Sequence, residues 1–219
     1  ILESVKASMD VVGCNTNLGI ILLCVPIVEA IYMDKQHKFD QKNLEIVINS
    51  IDSKQTKDIY KAINIANAGG MSSKQEFDLK KSKSQNFKLI EAMNYAKSYD
   101  FIAYEYTSFF NNIINVLAVN WRNNFNFMEN DEYATTATFL QQISANPDSL
   151  IARKHSLTAA EEVSQRFKEI AVEYCALKSP NILNNKLLLL DSELKIQGLN
   201  PGTTADVVVA SIFLNRLGL

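Results

Sequence analysis

Only seven glycines and four prolines punctuate this chain of 219 residues. Those two residue types are the ones that let a backbone turn sharply or stop regular structure. A sandwich or barrel of many short strands needs more of them, so long uninterrupted stretches favour helices. The apolar residues agree. Leu44, Val47, Ile48 and Ile51 follow the i, i+3, i+4, i+7 spacing of one helical face, and Ile59, Ala62, Ile63 and Ala66 repeat it. No β-alternation of useful length appears, and Ile46-Val47-Ile48 fits a helical face better. The fold class is all-α: a single compact multi-helix domain over residues 1–219, with no internal repeat. At 47% hydrophobic residues the chain can bury a substantial core.

The most apolar run, Leu18 to Val28, ends at Glu29. Leu18, Ile21, Leu22, Val25, Val28 and Tyr32 share a face, and the opposite face is also apolar. A helix apolar all round is a buried, central one, and Pro26 is expected to bend it. The run is too short to span a bilayer. It lacks the basic lead and cleavage site of a signal peptide. The stretch Ile1 to Val12 reads like the middle of a helical region, so a preceding segment is expected to be absent. Further along, Asn67-Ala68-Gly69-Gly70 reads as a helix stop, and Met71 to Asn86 as a polar loop. A helical pattern runs from Phe87 to Val119, broken near Ser98 to Asp100. Trp121 to Asn130 is Asn-rich and reads as a connection. Glu132–Ala145, a helix opened by the capping box Thr158-Ala159-Ala160-Glu161, Ile182–Gln197 and Thr203–Arg216 complete the set.

Charge and cysteine usage exclude several classes. The net charge is −2, from 22 basic and 24 acidic residues, which leaves no global nucleic-acid footprint. Three cysteines in apolar helical contexts fit a reducing cytoplasm, not a disulfide scaffold. No Cys/His spacing suggests a zinc site.

Three segments are polar where helices should begin. In Gly13-Cys14-Asn15-Thr16-Asn17-Leu18-Gly19, polar side chains precede the buried helix; they either cap it and each other or hold a polar ligand. Gly19 inside a buried helix destabilises it by roughly 1 kcal/mol against Ala, which points to a close approach. In Pro147-Asp148-Ser149-Leu150-Ile151-Ala152-Arg153-Lys154-His155, Asp148 or Ser149 caps a short helix. Arg153 and Lys154 either complement its dipole or hold phosphates. His155 reads as a helix-end residue. In Asn200-Pro201-Gly202-Thr203-Thr204-Ala205-Asp206, a Pro-Gly turn leads into two hydroxyls. Free N–H groups at a helix start can hold an anion. Asp206, one turn inside, caps or meets Mg²⁺ on a nucleotide. No P-loop is present. Together the three starts fit a polyanionic ligand.

On these segments and the Gly69-Gly70 turn, in this order along nearly the whole chain, the sequence resembles the triphosphoribosyl-dephospho-coenzyme A synthase family. It looks closest to members outside the citrate lyase setting. Citrate-linked members carry a His-Lys pair where this chain has Asn17 and Leu18. The resemblance implies an all-helical transferase that moves a triphosphoribosyl group from ATP to 3′-dephospho-coenzyme A and releases adenine. It also implies a segment before the Asn-Thr motif that this chain lacks. Such a reaction passes through an oxocarbenium-like ribose, so triphosphate must be held while base departs. On this reading Asn15, Thr16, Asn17, Gly19, Arg153, Lys154, Asn200, Gly202, Thr203 and Thr204 bind ATP. Asp148 and Asp206 are the carboxylates for chemistry, and Asp206 also takes Mg²⁺. The expected partners are ATP and a dephospho-CoA-like acceptor, with no nucleic acid and no membrane; a homo-oligomer is left open. The alternative is a non-catalytic helical domain that binds a nucleotide or a protein.

Overall fold

The computed structural model describes residues 1–66 and 87–218. The expected helix stop at Asn67 to Gly70 and the polar stretch 71–86 lie outside the described residues. Those residues form helices without a strand, as the breaker-poor sequence requires. They divide into two compact units: Ile1–Asn111 with Arg216–Leu219, and Asn112–Asn215.

The first unit holds α1 (Leu2–Val12), α2 (Leu18–Met33), α3 (Gln41–Ser50), α4 (Ser53–Ile65), α5 (Leu89–Ala96) and α6 (Phe101–Thr107). Gly13 ends α1 at φ 74°, a left-handed position that glycine takes without strain. Asp52 and Gln55 form a capping box on α4, and Asp100 caps α6 through the Ala103 N–H, which makes the expected break near Ser98 to Asp100. α1 packs on α4, where Val5, Ala62 and Ala66 are buried beside Met9, Leu18 and Ile21. α2 packs on α3. Its buried stripe is Gly19, Leu22, Leu23, Pro26, Ile27, Ala30 and Ile31, whereas Val25 and Val28 are half-buried and Tyr32 is exposed. The helix runs on through Pro26. Proline has no N–H, so the carbonyl four residues earlier, that of Leu22, loses its helical donor. The buried Tyr106 of α6 supplies one: its Oη donates to the Leu22 carbonyl at 2.6 Å. A buried carbonyl left without a donor would be costly, and this bond also fixes α6 against α2.

α6 ends in a way no residue type announces. Phe109 and Phe110 both take left-handed φ, 52° and 59°. Bulky residues there carry strain of about 1–3 kcal/mol each. Full burial of Phe110, edge-on to Tyr106, offsets much of it.

The second unit opens with a π-helical turn, Ile113–Leu117. There follow α7 (Ala118–Met128), α8 (Asp131–Ala145), α9 (Ser149–Lys154), α10 (Leu157–Tyr174), α11 (Asn184–Ile196) and α12 (Gly202–Arg216). α7 corrects the expected connection over 121–130. Asparagine is a weak helix former in isolation, but Trp121, Asn124 and Met128 share one buried face, and packing overrides propensity. The Asn124 Nδ2 donates to Thr138 Oγ1 at 3.0 Å and Gln141 Oε1 at 3.1 Å, both on α8. α10 starts two residues before the expected capping box, with Ser156 accepting from the Ala159 N–H. Its core contains Leu140, Ile143, Ile151, Val163, Phe167 and Tyr174. Asn215 of α12 donates to the Ala118 carbonyl and accepts from Arg122, tying α12 to α7.

Candidate active site

Asn15, Thr16, Asn17 and Gly19 belong to the first unit; the other candidate residues belong to the second. At the start of α2, Asn15 Oδ1 accepts from the Leu18 N–H at 3.3 Å. Asn17 occupies the N-cap position without capping; its Nδ2 donates to Ser8 Oγ of α1 at 3.0 Å. Gly13 to Thr16 are exposed, and Gly19 is buried. This start is therefore tied down lightly and presents polar groups to solvent.

The start of α12 is built the other way. Asp148, the N-cap of α9, is buried. Its Oδ1 accepts from the N–H groups of Leu150 at 2.8 Å and Ile151 at 3.1 Å. Its Oδ2 accepts from the Thr204 N–H at 2.7 Å and the Thr204 hydroxyl at 2.8 Å. One carboxylate thus caps two helices, reaching Thr204 across 56 positions of sequence. A carboxylate has about four lone-pair sites, and these contacts fill them. Burial pushes the Asp148 carboxyl up, while the Thr204, Ile151 and Leu150 donors pull it down; burial prevails.

Thr203 is also buried, and its Oγ1 accepts from Ser149 Oγ at 3.2 Å. The hydroxyls expected to face a ligand are thus turned inward, and the anion at the α12 start is the protein's own Asp148. A threonine hydroxyl can serve phosphate or carboxylate, and sequence cannot tell which is nearer. Ser149 is the partner that sequence reading missed. Gly202 has a packing reason: a Cβ there would lie 2.9 Å from Leu150 Cδ2. Asn200, exposed, accepts the Gly202 N–H on its backbone carbonyl at 2.8 Å.

Arg153 and Lys154 form the last turn of α9, where cations suit the helix dipole. Arg153 is half-buried and its Nε donates to the Ser149 carbonyl at 3.3 Å; Lys154 is exposed. His155 follows as the C-cap, with Nε2 3.2 Å from the Gly198 carbonyl. That contact links the end of α9 to the turn leading into Asn200. Asp206 is half-buried, one turn inside α12. Among the described residues no three His, Cys, Asp or Glu side chains cluster to hold a metal ion.

The family model for ATP:dephospho-CoA triphosphoribosyl transferase, CitG, matches residues 1–219. The chain belongs to this family. It is an enzyme, and its reaction is triphosphoribosyl transfer from ATP to dephospho-CoA. The transferase fold is similar to a crystal structure from Archaeoglobus fulgidus, solved as a candidate triphosphoribosyl-dephospho-CoA synthase. The TM-score is 0.74 at 22% identity, covering 98% of this chain and 86% of that one. No curated protein matches the transferase in sequence. No helix among its described residues is long and apolar enough to cross a membrane.

Proposed function

We propose that this transferase binds Mg–ATP, in the cytoplasm, and passes its triphosphoribosyl group to 3′-dephospho-CoA with release of adenine; the open start of α2 is the candidate ATP-binding segment of the first unit, and the cations of α9 are those of the second. The match of the family model over 1–219 carries this reading, because every polar helix start lies within it. At the anomeric carbon the bond to adenine breaks and one to an acceptor oxygen forms. Positive charge grows on the ribose, so groups that fix the triphosphate without moving contribute most. Arg153 offers a planar fork and Lys154 a point charge. Asn15, Thr16 and Asn17 offer amides and a hydroxyl. Mg²⁺ arrives on the nucleotide. One carboxylate plus substrate phosphates is an ordinary environment for it, and Asp206 is the half-buried carboxylate suited to that role. Asp148, Thr203, Thr204, Asn200 and Gly202 act indirectly, by holding the first turns of α9 and α12 in place.

The test is incubation of the protein with ATP and dephospho-CoA, reading free adenine by chromatography. Absence of adenine with both substrates present and the protein folded would refute the reading. Calorimetry on Arg153→Ala and Lys154→Ala should show ATP affinity falling by about 1.5–3 kcal/mol each. Unchanged binding in both would leave them as helix-end charges.

A further inference from the structure

α11 and the turn before it are apolar on two faces. Leu183, Leu190 and Leu194 are buried in the second unit. A separate stripe, Ile182, Leu189 and Ile196, is 78%, 65% and 86% exposed. Its members recur every seven residues, and a helix drifts only about 20° per heptad, so they stay on one face. Ile182 lies in the 3₁₀ turn Asn181–Leu183, which runs directly into α11. Leu188, beside the stripe, is also exposed. Contiguous exposed aliphatic side chains of this kind mark an interaction surface.

The flanks of the stripe say what covers it. On one side, at helical spacing from Leu189, stand Lys186 and Glu193. On the other stand the neutral Asn185 and Ser192. Lys186 is bridged to Glu173 at 3.0 Å and Glu193 to Arg166, both on α10, which holds the two charges along the stripe's edge. The stripe is symmetric about Leu189: Ile182 precedes it by seven positions and Ile196 follows by seven.

We infer that this face is covered by a second copy of the chain, with α11 lying antiparallel on its twin and the two-fold axis at Leu189. In that register Leu189 meets itself and Ile182 meets Ile196 of the second copy. Lys186 then falls beside Glu193 of the second copy, and the same pair repeats across the axis. A parallel two-fold would set Lys186 and Glu193 against the neutral flank of Asn185 and Ser192 on the second copy, where neither charge finds an opposite one. Self-complementarity about one point is what a two-fold interface requires, and opposite charges at its rim set the direction.

Sedimentation of the full chain reads the oligomeric state, and the parent is expected to be a dimer. Leu189→Lys should weaken the dimer by at least about 100-fold, because it buries unpaired like charges on the axis. Its thermal melt should stay near that of other monomeric variants, since the site is exposed in the single chain. Register is read by disulfide formation in a Cys14→Ser background. Leu189→Cys should cross-link with itself. Ile182→Cys should not, but should cross-link when mixed with Ile196→Cys. A monomeric parent, a dimer indifferent to Leu189→Lys, or self-linking of Ile182→Cys as efficient as that of Leu189→Cys would each overturn the inference.

Discussion

α2 and α12 look alike in sequence: each is an apolar helix entered through a turn rich in Asn, Thr and Gly. They are anchored at opposite places. α12 is locked at its first turn, where buried Asp148 accepts from the Thr204 N–H and hydroxyl. α2 is locked in its middle, where Tyr106 donates to the Leu22 carbonyl that Pro26 leaves without a partner. Its first turn is held by the Asn15 side chain, by Asn17 on Ser8 of α1, and by Leu18 and Ile21 against Val5, Ala62 and Ala66. A polar helix start therefore has two physical outcomes. It is filled by an internal carboxylate, or it stays open and available.

The difference can be broken most forcibly at Asp148. Asp148→Ala strands three buried donors and the half-buried Leu150 N–H, and should cost at least about 3 kcal/mol, read as a large drop in Tm. A small loss would mean that α12 is not held there. Next comes Thr204→Val, which deletes a charge-assisted hydroxyl bond; we expect a loss of about 1.5–3 kcal/mol by urea unfolding, against clearly less for exposed Thr16→Val. Tyr106→Phe should cost about 1 kcal/mol. In a Pro26→Ala background, where residue 26 again has an N–H for the Leu22 carbonyl, the same change should cost less. Equal costs in both backgrounds would remove the account of α2.

Smaller effects sharpen the contrast. Asn17→Ala should leave stability within about 0.5 kcal/mol, while ATP affinity falls measurably by calorimetry. If stability drops and affinity does not, the open start is only a cap. The pH dependence follows from Asp148. Burial raises its carboxyl above the ordinary 3.8, so the folded state holds the proton more tightly than the unfolded chain. The stability this contributes is present below that value and is lost as pH rises through the folded-state value. The stability gap between the parent and Asp148→Asn should therefore narrow from acid towards neutral pH in denaturant melts, and a widening gap would contradict the sign.

Much of this was legible from periodicity and caps. The helical class, the break before Phe101, a cap at Asp148 or Ser149 and the starts of α2 and α12 all follow from local rules, because a helix face and a capping oxygen involve residues a few positions apart. α7 was not legible: its asparagines read as a connection until Asn124 meets Thr138 and Gln141. The left-handed Phe109 and Phe110 carry no glycine to signal them.

The sequence by itself determined that the chain is helical, where most helices begin, and which side chains at those starts are able to bind an anion. Tertiary structure alone decided that the α12 start meets the carboxylate of Asp148. Asp148 and Thr204 are 56 positions apart, as Tyr106 and Leu22 are separated by 84. Donors and acceptors at such separations leave no periodic trace. Only the packing of helices brings them within 3 Å, and only then is it settled whether a buried polar group is filled by the protein or left for a substrate.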